Sequence, residues 1–493
     1  MPTDSTWPRH PIIYEINTWT WLGEVGARAG EPVGLGSVPD PEWDALAAWK
    51  PDAVWLMGVW ERSPEGRRIA LENAELVRSF RQALPDLRPD DDVVGSPYCI
   101  RRYAVDARLG GPKGLAKARA ELARRGILLV LDLVPNHVAP DHPWAREAPE
   151  LFVRGTVEEA DRSPEAFLRV GGSVYARGRD PYFPPWPDVV QLDAFSPAYR
   201  RALADTLSSI AGQCDAVRTD MAMLLVNRVF ARTWGARVGS PPARELWEEV
   251  LSEVKSKHPG FLAVAEAYWD MEWELQQLGF DFCYDKRLYD RIEHGHGEAV
   301  RQHLCAGLDY QERLVRFVEN HDEPRAAASL GSRSRVGAVA VATLPGARLF
   351  HEGQFEGRKV RLPVFLGRRP EEPVDPGLRA FYRKLLTEAA RPVYREGTFA
   401  LCDRTGWAGN PGFEDIVAWC WRLGDERRLV AVNVGPERAQ CHVRVPWPEL
   451  AGRTCHLEDA LDGTRYERRG DEMAGPGLYV DLESGRHHVF VVR

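Results

Sequence analysis

The sequence predicts an α/β fold: a barrel of eight parallel strands with an inserted lobe and a smaller C-terminal β domain. Short apolar runs rich in β-branched residues alternate with helix-length segments along most of the chain, a pattern typical of consecutive βαβ units. Several of these runs end in carboxylates, and barrel enzymes hold their chemistry at the C-terminal ends of their strands. Towards the end of the chain, short strands alternate with polar turns instead.

Eight apolar runs are the predicted barrel strands. They are IIYEIN (12–17), AVWLMGVW (53–60), ILLVLDLV (127–134), CDAVRT (214–219), FLAVAE (261–266), DFCYD (281–285), LVRFVEN (314–320) and ARLFHE (347–352). Helices are predicted near 42–49 and at 111–126, 196–211 and 242–257, with a closing helix at 378–388. The third run is apolar without interruption, which is typical of a strand buried on both faces.

The alternation stops after the third strand, between residues 138 and 193. Pro, Gly and aromatic residues crowd this stretch, as in RGRDPYFPPWPD (177–188), and we assign it to a lobe over the barrel mouth. After the closing helix, IVAWCWRL (416–423), RLVAVNV (428–434), CHVRV (441–445) and HHVFVV (487–492) predict an antiparallel β-sandwich domain. The predicted limits are 1–137 with 194–391 for the barrel, 138–193 for the lobe and 392–493 for the β domain.

Composition excludes several classes of partner. The 493 residues carry a formal net charge of -8 and no long Lys/Arg block, so nucleic acid is not an expected partner. The N-terminus, MPTDSTWPRHPIIYEIN, lacks a signal-peptide pattern, and no run of about 18 apolar residues could span a bilayer, which together predict a cytoplasmic protein without membrane contact. The eight cysteines form no C-x-x-C pair, so we interpret them as buried thiols and predict no metal site.

Four polar segments follow predicted strands 3, 4, 5 and 7. They are LDLVPNH (131–137), DAVRTD (215–220), LAVAEAYW (262–269) and RFVENHDEPR (316–325). The last three supply Asp220, Glu266 and Asp322. Three carboxylates can serve as a nucleophile, a proton donor and an assisting carboxylate, and these are the catalytic groups of a glycosidase.

The surroundings of each carboxylate suggest its role. Arg218 and Asp220 lie two residues apart on one strand, so they share a face and the guanidinium favours an ionised nucleophile. Glu266 has no cation beside it in the sequence and would share a cleft with two aspartates, which raises the pKa of the group that holds the proton. Glu266 is therefore the predicted general acid.

Each of these residues taken alone also has a purely structural explanation. Asp220 could cap a helix beginning at Met221, and Asp322 before Glu-Pro could open a turn. Single histidines such as His137 and His321 are more often hydrogen-bonded core residues than ligands. Because four such segments occur in order along the chain, a shared site explains them better than separate structural roles do.

Together these segments resemble the four ordered signature regions of the α-amylase family of glycoside hydrolases. GSPYCIRRYAVDARLGG (95–111) is similar to the family's Tyr-containing segment after the second strand, and the resemblance extends roughly over residues 10–390. It implies a retaining mechanism on α-glucosidic bonds, with Asp322 binding sugar hydroxyls and stabilising the oxocarbenium-like transition state. It also implies sugar contacts from the following residues: Tyr98 as a stacking platform, and His137, Arg218, His321 and Arg325 as hydrogen-bond partners. Asp132 and Asn136 resemble structural members of the mouth.

Two departures from the family pattern bear on specificity and cofactors. Endo-acting amylases commonly carry Lys-His three and four residues after the nucleophile, whereas Met223 and Leu224 stand here, and N-H-D-E-P-R is closer to the exo-acting α-glucosidases. Short α-glucosides or oligosaccharides are therefore the expected substrates. In the lobe, VVQLD (189–193) places Gln191 where the family often supplies a calcium-binding carboxylate. Asn136 could still offer a carbonyl, but the sequence favours no cofactor and no tight calcium site.

Three functions stay open at this point. A retaining hydrolase and a transglycosylase or isomerase, such as a trehalose-synthase-like enzyme, use the same covalent intermediate and differ only in what resolves it. A non-catalytic carbohydrate-binding barrel protein would usually lack a catalytic carboxylate, and none is missing here. Among 17 tryptophans, Trp186 and Trp269 are the candidates for stacking on sugar. The sequence does not indicate an oligomeric state.

Overall fold

The computed structural model describes residues 7–493, and within that range eight parallel strands close into a barrel, which confirms the predicted fold class. The strands are β1 (Ile12–Asn17), β2 (Ala53–Met57), β3 (Leu128–Leu133), β4 (Ala216–Thr219), β5 (Leu262–Ala265), β6 (Phe282–Tyr284), β7 (Leu314–Arg316) and β8 (Ala347–His351). Each pairs with the next in chain order, and β8 pairs with β1. All the C-terminal ends therefore meet at one mouth.

Alternation along each strand separates the barrel interior from the helix-facing surface. In β1, Ile12, Tyr14 and Ile16 pack in the large core cluster with the surrounding helices, whereas Ile13 packs in the interior cluster. The interior cluster also contains residues of the other strands, among them Trp55 and Val130. Because side chains alternate with a period of two, the polar residues that end the strands are directed into the mouth.

Helices surround the barrel, as the alternation predicts. Those of eight or more residues in the described chain are α1 (Thr18–Ala29), α2 (Asp40–Ala47), α3 (Pro64–Glu72), α4 (Ala74–Ala83), α5 (Gly111–Arg124), α6 (Pro197–Ala211), α7 (Asn227–Trp234), α8 (Leu246–Lys257), α9 (Lys286–His294), α10 (Gly297–Leu304), α11 (Ser334–Thr343) and α12 (Pro376–Ala389). Shorter helices span Pro89–Asp92, Trp144–Glu147, Val157–Arg162, Glu272–Gln277, Leu308–Gln311, Ala326–Ser329, Val393–Glu396 and Gly470–Glu472. The predicted Ser-Pro start of α6 forms a cap, because the Ser196 side chain accepts a hydrogen bond from the Tyr199 N–H.

The segment after β3 leaves the barrel as an irregular lobe before the chain returns at α6. Two small antiparallel pairs shape it, Phe167–Val170 with Ser173–Ala176 and His137–Val138 with Val190–Gln191. A third pair, Trp60–Arg62 with Ile100–Val105, follows β2. The second of these pairs joins the lobe to the end of β3, and so places lobe residues beside the mouth.

The C-terminal part is antiparallel, as predicted. Its strands are β9 (Thr398–Leu401), β10 (Asp403–Thr405), β11 (Ile416–Leu423), β12 (Glu426–Asn433), β13 (Ala439–Arg444), β14 (Thr454–Asp459), β15 (Arg465–Arg469), β16 (Leu478–Leu482) and β17 (His487–Val492). Six of them form one sheet and three form another, with a separate core cluster between. The predicted limits of the three parts of the chain stay a prediction.

Two further expectations can be compared with the structure. Seven cysteines are buried, but Cys305 is exposed, so the expectation of buried thiols is wrong for that residue because it lies just beyond the end of α10 at the surface. Within residues 7–493, every helix is too short or too polar to cross a bilayer. The first six residues of the N-terminal segment considered above lie outside the described residues.

Candidate active site

One buried guanidinium brings the three predicted carboxylates together. Arg218 Nη1 donates to Asp220 Oδ1 at 2.7 Å, and its Nη2 lies 2.7 Å from Glu266 Oε2 and 3.9 Å from Asp322 Oδ2. Arg218, Asp220 and Glu266 are buried, whereas the Asp322 side chain is 43% exposed. The ends of β4, β5 and β7 therefore converge on a single charged cluster that opens to solvent on the Asp322 side.

Aromatic rings hold Arg218 in place. Its guanidinium carbon lies 5.2 Å from the Tyr98 ring centroid, 5.5 Å from Trp55 and 5.7 Å from Tyr284. Ring faces attract a cation most strongly where water is excluded, as it is inside this barrel. Within residues 7–493, Arg218 is thus the basic side chain that contacts both buried carboxylates.

Asp220 occupies the turn where β4 ends. The next residue, Met221, has a left-handed backbone with φ of 44°, and a short 3₁₀ helix follows at Ala222–Leu225. The Asp220 side chain bonds Arg218 and does not cap that helix, so the capping alternative is not what the structure shows. Burial raises the pKa of Asp220 although Arg218 acts in the opposite direction, which differs from the expectation that the guanidinium would dominate.

Glu266 is the carboxyl group best suited to hold a proton. Burial, with the charges of Asp220 and Asp322, outweighs Arg218 and raises the pKa of Glu266 to about 7. Its Oε2 accepts from the Met221 N–H at 2.7 Å, and its Oε1 accepts from the Tyr268 hydroxyl at 3.0 Å. The sequence argument expected no cation beside Glu266; the structure places Arg218 there, so burial is the main cause of the raised pKa.

A chain of charged groups fixes Asp322 on the opposite side. His321 Nε2 lies 2.9 Å from Asp322 Oδ2 and 2.6 Å from the Tyr98 hydroxyl, while His321 Nδ1 lies 2.5 Å from Glu15 Oε1. Burial would lower the pKa of His321, but the two carboxylates raise it to about 10. His321 is therefore an imidazolium, and its charge holds the pKa of Asp322 at about 2 although burial raises it.

Glu15 is a residue of the cluster that the sequence analysis missed. It is buried in β1, an otherwise apolar strand except for Asn17 at its end. The sequence did contain a signal for it, namely a carboxylate on the interior-facing side of a buried strand. Because a buried charge needs a partner, such a residue is expected to contact another charged group. Tyr268, which donates to Glu266, was missed for a different reason: its contact depends on how the chain turns after β5.

The structure places the remaining predicted sugar-binding residues at different distances from the cluster. The Tyr98 ring stacks on His321, with centroids 5.4 Å apart, and so belongs to the site. His137 is buried beside Trp186, at a centroid distance of 5.1 Å, on the lobe side of the mouth. Arg325 donates to Glu319, His351 and the Glu352 carbonyl and has no hydrogen bond to the three carboxylates, so its sugar-binding role stays a prediction.

Asn136 and Gln191 lie where the family resemblance would place a calcium ion. The Gln191 Nε2 amide faces three oxygens: the Asn136 carbonyl at 2.8 Å, Asn136 Oδ1 at 2.9 Å and the Leu192 carbonyl at 3.0 Å. In return, Asn136 Nδ2 donates to Gln191 Oε1 at 3.2 Å. Calcium needs six or more oxygen ligands, commonly with carboxylates among them. A buried N–H donor at the centre of these oxygens does not fit such an ion.

Comparison of the sequence with known proteins finds an α-amylase and a trehalose synthase/amylase among its relatives. No family model matches the chain. It is 25% identical over 370 residues to the α-amylase MalA of Haloarcula japonica, a match that covers 72% of this chain and 45% of that protein. It is 27% identical over 149 residues to the trehalose synthase/amylase TreS of Mycobacterium tuberculosis, covering 30% of this chain and 19% of that protein. The chain thus spans less than half the length of these relatives.

Solved structures resemble the chain over almost its entire length. The α-amylase of Geobacillus thermoleovorans, solved in complex with acarbose, superposes with a TM-score of 0.67 at 17% identity and covers 98% of both chains. At that identity the likeness establishes the fold: an eight-stranded barrel followed by an antiparallel domain. The chemistry has to be argued from the cluster itself.

Proposed function

We propose that this chain, a member of the α-amylase family by sequence similarity and fold, cleaves α-glucosidic bonds with retention of configuration through a covalent glycosyl-enzyme. The observation that carries the proposal is the pairing of Asp220 and Glu266 on the two nitrogens of one buried guanidinium. Retaining glycosidases need their two carboxyls only about 5 Å apart, and one guanidinium can bridge such a pair.

The first step divides the work between the two carboxyls. Glu266, protonated below about pH 7, gives its proton to the glycosidic oxygen as the bond to the anomeric carbon breaks. Asp220 forms the new bond to that carbon, because Arg218 favours its ionised form within the cluster. Asp322, held ionised by His321, binds the sugar hydroxyls and offsets positive charge on the ring.

The second step releases the sugar. Glu266, now a carboxylate, takes a proton from a water molecule, whose oxygen attacks the anomeric carbon while the bond to Asp220 breaks. The proton returns Glu266 to its starting state, and a second inversion restores the original configuration. The raised pKa of Glu266 is what allows one group to act first as an acid and then as a base near neutral pH.

Short α-glucosides and oligosaccharides are the proposed substrates. Met223 and Leu224, which stand where endo-acting amylases carry Lys-His, are buried, and neither side chain can donate a hydrogen bond to a sugar. These two residues therefore supply no polar contact to a long glucan beyond the cleaved bond. We also infer that no calcium is needed, since Gln191 supplies a donor where a cation would stand.

A transglycosylase or isomerase is the second candidate. The observation in its favour is the similarity to TreS, whose name gives both a synthase and an amylase activity. The carboxylate cluster serves either reaction, because the two diverge only when water or a sugar attacks the glycosyl-enzyme. A non-catalytic carbohydrate-binding protein is disfavoured, since none of the three carboxylates is missing or turned away from the others.

The test is to incubate the protein with maltose, isomaltose, sucrose, trehalose and soluble starch and to follow products and anomers by proton NMR. Initial release of the α-anomer supports retaining hydrolysis, new disaccharides support the second candidate, and inactivity on every sugar contradicts both. Asp220→Asn should lower kcat by about three or more orders of magnitude, since it removes the covalent route. Asp188→Asn is the matched control: this aspartate is also buried, lies in the lobe and touches none of the three carboxylates.

A further inference from the structure

A cavity of about 740 Å³ lies where the barrel meets the C-terminal β domain, and none of the three carboxylates of the active site lines it. Three parts of the chain enclose it: the start of α11, the loop between β8 and α12, and the turn between β16 and β17. Ligand pockets have volumes of about 300 to 1,000 Å³, so this cavity has room for a small molecule.

Each of the three parts contributes one cation to the cavity. Arg335 comes from α11, Lys359 from the loop and Arg486 from the turn. Within residues 7–493, none of these three side chains forms an ion pair, and the Arg335 guanidinium packs instead over the Phe381 ring, 5.3 Å from its centroid. Like charges around one cavity repel one another, so an anion bound between them would be stabilised.

Two carboxylates also line the cavity, but the backbone already binds both. Glu372 Oε2 accepts hydrogen bonds from the N–H groups of Lys359 at 2.7 Å and Val360 at 3.2 Å. Asp375 Oδ1 accepts from the Leu378 N–H at 2.9 Å and caps the first turn of α12. Because three cations line the cavity and only two carboxylates do, the charge of its lining is positive.

A buried hydroxyl without a partner lies at the same cavity. Ser334, the first residue of α11, is only 6% exposed and lines the cavity, and its hydroxyl makes no hydrogen bond in the described part of the chain. A buried polar group without a partner is costly, so this hydroxyl indicates an acceptor that enters from outside. α11 also has no side-chain cap at this end, so the positive end of its dipole favours an anion there.

We propose that this cavity is a binding site for a phosphate group, carried by inorganic phosphate or by a sugar phosphate. A phosphate group has a charge close to two near neutral pH and several acceptor oxygens, so it can bind three cations and a hydroxyl at once, whereas a carboxylate has one charge and two oxygens. Arginine binds phosphate oxygens through its planar fork, and lysine binds them as a point charge. The site does not depend on the reaction proposed for the barrel mouth.

The loop that supplies Lys359 also reaches the active site. Directly after Lys359, Val360 and Arg361 border a second cleft together with Asp322. Glu372 binds the N–H groups of both Lys359 and Val360, so one carboxylate connects the part of the loop at the phosphate cavity to the part at the active site. A phosphate bound to Lys359 therefore restrains the segment beside Asp322.

Phosphate binding is measured by isothermal titration calorimetry with sodium phosphate, glucose 6-phosphate and glucose, and with sodium chloride at equal ionic strength as the reference. Lys359→Ala and Arg486→Ala should each weaken phosphate binding about tenfold, which is the loss of one hydrogen bond to a charged group. Both side chains are exposed, so the variants should fold, and thermal unfolding without phosphate checks this. Lys113→Ala is the control, because Lys113 is also exposed but lies on α5, and it forms no ion pair among the described residues.

Ser334→Ala distinguishes a ligand-binding hydroxyl from a structural one. Without phosphate, its melting temperature should equal or exceed that of the wild type, because an unpaired buried hydroxyl is removed. Its phosphate affinity should nevertheless fall severalfold. A lower melting temperature with unchanged phosphate affinity would show that the hydroxyl serves the fold and not a ligand.

The site is refuted by any of three results: no phosphate binding beyond that of chloride, unchanged affinity in both Lys359→Ala and Arg486→Ala, or an equal loss in Lys113→Ala. An affinity for glucose 6-phosphate above that for both inorganic phosphate and glucose identifies a sugar phosphate as the ligand. An affinity no higher than that for inorganic phosphate identifies the free ion. Hydrogen–deuterium exchange of residues 357–364 should slow when phosphate is added, and unchanged exchange there contradicts the restraint of the loop.

Discussion

Replacing Arg218 by methionine should disable the site by protonating its carboxyl groups while leaving the shape of the barrel almost intact. Methionine fills a similar unbranched volume, but it removes the cation that lies 2.7 Å from both Asp220 and Glu266. At an effective dielectric constant near 20, one such contact is worth about 4 kcal/mol, which corresponds to about three pKa units per carboxyl. Losing about 4 kcal/mol of stabilisation of the ionised nucleophile should lower kcat near neutral pH about a thousandfold.

The stability of Arg218→Met gives an independent measure of the same charge. Burial already raises the pKa values of Asp220 and Glu266, and losing the guanidinium raises them further. A carboxyl with a folded-state pKa above its unfolded value binds its proton more tightly when folded, so its contribution to stability is lost as pH rises through the folded pKa. The melting temperature of the variant should therefore drop relative to wild type as pH increases from about 5 to about 9.

The assay is fluoride release from α-glucosyl fluoride between pH 4 and 9, alongside thermal unfolding by circular dichroism. Arg218→Lys is the matched variant, since it keeps one positive charge but cannot bridge two carboxylates, and it should retain intermediate activity. In an Asp220→Asn background, removing Arg218 should cost less stability, because one of the charges it neutralises is absent. An Arg218→Met enzyme with wild-type turnover at pH 7, or with a stability difference that does not depend on pH, refutes the reasoning.

Three further outcomes can be measured. Because the pKa of Glu266 is about 7, kcat/KM should fall tenfold per unit above that pH, and it should also fall on the acid side where Asp220 becomes protonated; a profile level to pH 9 would exclude Glu266 as the acid. Glu15→Gln should lower the pKa of His321 from about 10, since one of its two carboxylate partners becomes neutral, and carbon-13 NMR of labelled histidine would detect no change if Glu15 were only structural. Finally, EDTA and excess calcium should leave the melting temperature of the wild type unchanged, whereas Gln191→Glu should be destabilised in EDTA and restored by calcium; metal copurifying with the wild type would contradict the amide's role.

The strands and the polar residues at their ends could be predicted from the sequence, because they depend on the hydropathy of consecutive residues. Predicted β1 coincides with the observed Ile12–Asn17, and β11 and β17 also match the predicted runs residue for residue. Helix starts were less accurate: the helix predicted at 242–257 begins at Leu246, because the preceding residues are drawn into contacts of α7 such as the Glu245 carboxylate on the Asn227 N–H. Tertiary contacts of this kind cannot be recognised in the hydrophobic periodicity of the sequence.

For the candidate site, the strand pattern alone predicts which side chains lie at the barrel mouth. Asp220, Glu266 and Asp322 follow apolar strands, and the register of parallel strands carries their C-terminal ends to one edge. The contacts that set their charges could not be inferred in this way. Glu15 meets His321 across more than 300 positions of chain, and Arg218 reaches Glu266 from a neighbouring strand.

The balance of burial and charge at each group depends instead on the folded chain. The sequence suggested that a lack of nearby cations sets Glu266 apart, yet the folded chain shares one guanidinium between Glu266 and Asp220 and raises both pKa values by burial. Strand pattern is a property of consecutive residues, whereas desolvation and electrostatic interaction depend on distances between residues far apart in the chain. The identity of the reacting groups was therefore readable from the sequence, but their protonation states depend on the closed barrel.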